Sequence, residues 1–144
     1  MKNKLPINIY RYSKMVGIIA DEKELDEKIL AIFKIDKSHG TEYLTINSLE
    51  KEEEKRLINA YATCDLLKGK SEDTIYYKGN LEPELLKDAA DLLVPDLLLK
   101  EVIYTLESED LNTLARTFEV PDYIMEEKLK IQLGGKIKWQ IGKN

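Results

Sequence analysis

The chain has 144 residues, of which 43% are hydrophobic and 34% are charged, and its 22 basic and 27 acidic residues give a formal net charge of −5. This length supports one compact core and is short for two ordinary domains, so we expect a single domain over residues 1–144. The acidic balance argues against a protein whose whole surface binds nucleic acid or an anionic membrane.

The N-terminal segment predicts a short amphipathic helix. Residues 6–16 place apolar side chains close to a 3.6-residue period, and Gly17 is suited to the left-handed conformation that ends a helix. Residues 18–20 then predict a brief strand. The highly charged residues 21–28 predict a solvated loop or a short helical turn.

Two extended segments predict a β-hairpin that a long helix follows. Residues 29–35 form an apolar, β-branched run, and residues 41–47 alternate between apolar and polar side chains after a turn segment. Ser48 can cap the next helix, which we expect from about residue 49 to Lys68. The glutamates in its first turns would interact favourably with the helix dipole.

The C-terminal half of the chain predicts mostly helices. Residues 69–81 read as a loop with a small extended piece at Thr74–Tyr77. The predicted helices that follow are 83–93, 96–106, 109–118 and 121–133, and the residues IKWQI near the C-terminus are compatible with a terminal strand. The nearly continuous apolar positions of 96–106 predict heavy burial. This order of elements predicts an α+β domain.

Charge and cysteine content constrain location and partners further. Residues 71–127 contain 4 basic and 15 acidic side chains, whereas residues 128–144 contain five lysines and no acidic side chain. We expect residues 134–144 to form a flexible basic tail, although such a tail could also contact an acidic partner. Cys64 is the only cysteine, which excludes an internal disulfide framework and fits a reducing cytoplasm. We expect a cytoplasmic protein, because no apolar run is long enough for a membrane span.

Five segments resemble the ImmA/IrrE family of metallopeptidases in their order and spacing, and they cover roughly residues 8–131. The segments are 8–18, 41–48, 52–67, 82–102 and 111–131. The most specific part runs from Glu84 through Ala89–Ala90 and Leu92–Leu93 to Pro95, and is similar to the family's glutamate-ligand helix. The resemblance implies a small antiparallel β-sheet packed with a helical, zincin-like domain.

The resemblance also implies where the chemistry would lie. In the family, a helical His-Glu-x-x-His motif binds zinc and supplies a general base, and the later helix adds a glutamate ligand. Alignment places Tyr61 and Asp65 at the histidine positions, Ala62 at the catalytic glutamate and Glu84 at the later ligand. Asp65 and Glu84 could share a hard cation with waters, but two carboxylates without imidazole make a poor zinc site. We expect a vestigial site without catalytic residues, metal or other cofactor.

Two functions fit this resemblance. The first is a non-catalytic regulatory protein from a phage or mobile element, which binds a repressor or other regulatory protein. In this interpretation, Tyr61 and Asp65 bond to each other or to neighbouring groups and close the former metal cavity. The alternative is a divergent metal-dependent peptidase that cleaves a repressor with Glu84, Asp65 and a third group. The oligomeric state stays open.

Other candidate residues favour ordinary structural roles. His39 lies in the predicted hairpin turn and is expected to be solvated, although it could replace a zinc ligand if the hairpin folded over the helix. Cys64 is expected to be a packed side chain rather than a nucleophile. Residues 111–129 weakly resemble a helix-turn-helix, but Pro121–Asp122 and the acidic surroundings are unfavourable beside phosphates, so we do not expect nucleic-acid binding.

Overall fold

A computed structural model describes residues 5–107 and 110–131. The elements, in chain order, are α1 (Ile9–Met15), β1 (Ile18–Lys23), β2 (Ile29–Asp36), β3 (Thr41–Asn47), α2 (Glu52–Leu67), β4 (Thr74–Tyr77), α3 (Pro83–Leu93), α4 (Asp96–Leu106) and α5 (Leu111–Phe118). Residues 122–131 are also helical and are called α6 here. The predicted α+β class is confirmed.

The four strands form one mixed sheet in the order β1-β3-β2-β4. The predicted hairpin is confirmed, because β2 and β3 pair antiparallel around the turn. β4 adds to β2 in antiparallel orientation, whereas β1 lies parallel to β3. The sheet is therefore mixed, and the predicted small antiparallel sheet is correct for β2, β3 and β4 but wrong for β1. The loop from β1 to β2 crosses the end of β3, where the buried Asn47 amide donates to the carbonyl oxygens of Asp26 and Ile29 at 3.0 and 2.9 Å.

β1 is longer than the sequence predicts and includes charged residues that were expected in a loop. Its backbone pairs with β3 through Lys23, and the side chains of Asp21, Glu22 and Lys23 point into solvent. Charged side chains are common on the edge strand of a sheet, since only the backbone must pair. The loop is thus confined to residues 24–28.

Helix α2 lies at the centre of the fold. Eight consecutive residues, 56–63, are buried, which requires neighbours on every side of the helix. The sheet packs on one side, and α1 and α3 contact others. Leu57 on α2 and Leu93 on α3 are buried in the core, while Leu86 on α3 is only partly buried.

The start of α2 differs from the prediction. The helix begins at Glu52, and Ser48 is exposed and does not cap it. Instead, the Asn47 side-chain oxygen accepts from the backbone N–H of Leu49 at 3.1 Å and holds the preceding residues in a turn. At the other end, Gly69 has a φ of 106°, as expected for a residue that ends a helix.

Helix α4 is much less buried than its apolar sequence predicts. Leu99 and Val102 are buried, but Leu97 and Tyr104 are 81% and 85% exposed. The helix packs along one narrow face. The prediction of heavy burial, which was based on the continuous apolar run, was therefore too high. The predicted terminal strand at IKWQI and the basic tail at 134–144 lie outside the described residues. Every helix within 5–107 and 110–131 is too short or too polar to cross a lipid bilayer.

Candidate functional site

Three side chains from α2 and β4 meet at the position that the resemblance assigns to a metal. Tyr61 and Asp65 lie one helical turn apart on α2, and β4 places Tyr76 against both. The Tyr76 hydroxyl donates to Asp65 Oδ2 at 2.9 Å. Its ring meets the Tyr61 ring edge-on, with centroids 5.4 Å apart and an interplanar angle of 82°. Tyr61 and Asp65 are therefore brought together through Tyr76.

Tyr61 also connects α2 to the start of α3. The backbone N–H of Glu82, the residue that precedes α3, donates to the Tyr61 hydroxyl oxygen at 2.8 Å. Burial raises the pKa of Tyr61, and it raises the pKa of Tyr76 further, with the Asp65 charge adding to the effect. Both phenols therefore stay protonated across the physiological pH range.

Asp65 has two protein partners on the same oxygen. Besides the Tyr76 hydroxyl, the Lys70 Nζ lies 3.5 Å from Asp65 Oδ2, and the Asp65 side chain is 16% exposed. A lysine ammonium beside a carboxylate repels an incoming cation and competes with it for the oxygen. The Lys70 charge thus favours the hydrogen bond between Tyr76 and Asp65 over a metal ion bound to Asp65.

The other two predicted site residues do not join this cluster. Ala62 is fully buried within α2 and has no ionisable group. Glu84 lies exposed in the first turn of α3, and in the described part of the chain it forms no hydrogen bond or ion pair with Tyr61 or Asp65. Glu82, two positions earlier, contacts Tyr61 through its backbone N–H.

Sequence reasoning missed Tyr76, Glu82 and Arg56. Pro83 marks the first position of α3 and therefore identifies Glu82 as the residue that precedes the helix. Tyr76 has no comparable signal, since its role depends on where β4 lies against α2. Arg56 is 4% exposed and donates to the carbonyl oxygens of Ile7, Phe118 and Glu119 at 2.8, 3.2 and 3.0 Å.

The remaining ionisable candidates are separate from this cluster. In the part of the chain that the structure describes, no three His, Cys, Asp or Glu side chains are arranged to hold a metal ion. His39 is exposed in the turn after β2, with Nδ1 2.8 Å from Asp36 Oδ2. Hydrogen bonds from Ser38 and His39 lower the pKa of Asp36. Burial raises the pKa of the Cys64 thiol to about 11, so it is not an activated nucleophile.

A groove between α3 and α6 is a second feature of the surface. It has a volume of about 460 Å³ and combines apolar side chains with both acidic and basic ones. We call it the α3–α6 groove. Its lining includes Leu86, Ala90, Asp91, Ile124, Glu127 and Ile131.

No protein-family model matches the chain, and no curated protein matches it.

Proposed function

We propose that the protein is a non-catalytic, ImmA/IrrE-like regulator of a phage or mobile element, which binds a repressor or other regulatory protein in the cytoplasm. The proposal combines the sequence resemblance with the chemistry of the residues at the former metal position. It assigns the protein a binding role and no hydrolytic step.

The bonding of Tyr61 and Asp65 to protein groups carries this proposal. Tyr61 accepts the Glu82 N–H, and Asp65 accepts the Tyr76 hydroxyl beside the Lys70 ammonium. A metal would have to displace these partners without gaining an imidazole ligand. Metal-assisted hydrolysis also needs a group that takes a proton from the attacking water, and Ala62 offers none.

A binding assay with an intact-mass readout tests the proposal. The purified protein is mixed with a candidate repressor from its own genome, with and without added Zn²⁺ or Mn²⁺, and analysed by gel filtration and mass spectrometry. We expect a complex that contains both intact chains. Metal-dependent cleavage of the repressor, abolished by Asp65→Ala, would instead establish the divergent peptidase.

A second experiment tests which residues surround the metal position that the resemblance implies. The triple variant Tyr61→His, Ala62→Glu and Asp65→His restores both imidazoles and the base, and we expect it to bind zinc. The Glu82 backbone N–H donates to the Tyr61 hydroxyl and the Glu82 charge acts on Tyr61, so we expect Glu82→Ala to weaken zinc binding more than Glu84→Ala. The opposite order would support the alignment that places the ligand at Glu84.

A further inference from the structure

A cavity lies between the N-terminal end of α2, the segment after β4 and the start of α6. Its volume is about 510 Å³, within the range of about 300–1,000 Å³ that is typical of small-ligand pockets. Its lining combines three leucines with two glutamates, two lysines, a tyrosine and a glycine. We call it the Glu54 cavity, because the Glu54 carboxylate lies in its wall.

The Glu54 carboxylate is half-buried and is not paired with a cation. Among residues 5–107 and 110–131, no lysine or arginine lies within ion-pair distance of it. The Tyr123 hydroxyl oxygen lies 3.1 and 3.3 Å from its two oxygens. One hydroxyl donates one proton, whereas a carboxylate can accept about four hydrogen bonds. Glu54 therefore keeps unused acceptor capacity at the wall of the cavity.

The two lysines of the lining do not pair with this carboxylate. Lys78 is paired with Glu50, whose side-chain oxygen lies 2.9 Å from the lysine Nζ, and the Glu50 side chain is only 10% exposed. Lys51 is exposed, so solvent screens its charge. The lysine charges are thus directed to Glu50 and to water, and Glu54 stays available to another cation.

The other charges around Glu54 are mainly negative in their effect. Burial raises the pKa of Glu54, and the hydrogen bond from Tyr123 lowers it. The charges of Glu50 and Glu53 each raise this pKa by more than Lys78 lowers it. A cation beside the carboxylate would offset this repulsion, in a half-buried place where solvent screens charges only in part.

The leucines of the lining supply an apolar surface beside the carboxylate. Leu30 is buried, Leu81 is partly buried and Leu49 is 57% exposed. An aliphatic stem can pack against such side chains while its charged end reaches a polar group. We propose that the Glu54 cavity binds an aliphatic ammonium or guanidinium ion, with the Glu54 carboxylate as its counter-ion. This ligand site does not depend on the proposed regulatory role.

A guanidine and its neutral counterpart supply the probes. n-Butylguanidine is a cation on a four-carbon stem, and n-butylurea has nearly the same shape without the charge. Binding to the full-length protein is followed by amide chemical shifts in two-dimensional NMR and by the dissociation constant. With n-butylguanidine we expect saturable shifts centred on Glu54, Lys78 and Tyr123. The dissociation constant of n-butylurea should be at least about tenfold higher.

A third probe distinguishes two sources of this chemistry, which are the arginine side chain of a protein and a free small cation. N-acetylarginine amide carries the same guanidinium on a peptide-like backbone. If it binds at least as tightly as n-butylguanidine, the cavity accommodates a backbone and the ligand is an arginine side chain. Binding that is at least about tenfold weaker assigns the cavity to a free small cation.

Two pairs of matched variants locate the site. Glu54→Gln removes the charge and keeps a side-chain oxygen for Tyr123, and Glu101→Gln makes the same change on the exposed side of α4. Leu49→Lys adds an ammonium to the cavity wall, and Leu67→Lys is its control at the end of α2, since both leucines are 57% exposed. We expect Glu54→Gln and Leu49→Lys to raise the dissociation constant of n-butylguanidine at least about tenfold, and both controls to leave it unchanged. Leu49 is exposed, so Leu49→Lys should fold even if Glu54→Gln does not.

Three outcomes would overturn the inference. They are the absence of saturable shifts with n-butylguanidine, equally tight binding of n-butylurea, and equal effects of the variants and their controls. None of these measurements involves a repressor or a hydrolytic step. Failure of the ligand site would therefore leave the proposed function standing, and cleavage of a repressor would refute the proposed function and leave the ligand site standing.

Discussion

Replacing Arg56 by methionine should destabilise the protein by about 3 kcal/mol. Methionine keeps an unbranched apolar stem and removes the guanidinium, so the substitution isolates the polar contacts from the packing. Arg56 joins the N-terminal part of α2 to the N-terminal segment and to the C-terminal end of α5 through the carbonyl oxygens of Ile7, Phe118 and Glu119.

The magnitude follows from opposing contributions at this site. A hydrogen bond from a charged donor contributes about 1.5–3 kcal/mol, and the substitution removes three such bonds. The removal of a buried charge offsets part of this loss: burial lowers the pKa of Arg56, which shows that its charged form is disfavoured by desolvation. The bonds to Ile7 and Glu119 are only partly buried, so water can replace part of what these two carbonyls lose. The balance is about 3 kcal/mol.

Urea unfolding monitored by circular dichroism measures this difference, with Arg11→Met as the control. Arg11 is exposed on α1, so its substitution should change the free energy of unfolding by no more than about 0.5 kcal/mol. Native-state hydrogen exchange should also show faster exchange at the end of α5 in Arg56→Met. A loss below about 1 kcal/mol, or equal losses in the two variants, would refute the role given to Arg56.

Three further predictions concern the core and the site. Leu93→Ala should lower the free energy of unfolding by about 2–5 kcal/mol in the same assay, because Leu93 is fully buried; a neutral effect would contradict its packing. Tyr76→Phe should cost about 1–3 kcal/mol by leaving Asp65 without its hydroxyl donor, whereas Tyr77→Phe on the exposed side of β4 should stay within about 0.5 kcal/mol. Cys64 should react with iodoacetamide at pH 8 at least about tenfold more slowly than free cysteine, since a pKa of about 11 leaves little thiolate; a rate like that of free cysteine would contradict its burial.

Local sequence signals predicted much of the fold. The hairpin of β2 and β3 follows from two β-prone runs around a turn, and α3 follows from Pro83 at its first position. These elements depend on neighbours in the sequence. The parallel pairing of β1 with β3 depends on a contact between segments that are distant in sequence. No local pattern in the charged residues of β1 could reveal it.

The candidate site was likewise predicted only in part. The spacing of Tyr61 and Asp65 placed them on one side of α2, and the structure brings both into contact with Tyr76. Pro83 marks Glu82 as the residue before α3, but the contacts of Tyr76 and Glu82 with these side chains depend on the packing of β4 and α3 against α2, which local sequence does not show. Which face of α4 is buried also depends on tertiary packing, and Leu97 and Tyr104 stay exposed.

The central claim is that Tyr61, Asp65 and Tyr76 bond to protein groups at the position that the resemblance assigns to a metal, and zinc content tests it most directly. The wild-type protein is equilibrated with zinc at neutral pH, dialysed against zinc-free buffer and analysed by mass spectrometry of the metal. The account predicts far less than one zinc per wild-type chain. Retention of one zinc per wild-type chain, lost in Asp65→Ala while the protein stays folded, would contradict it.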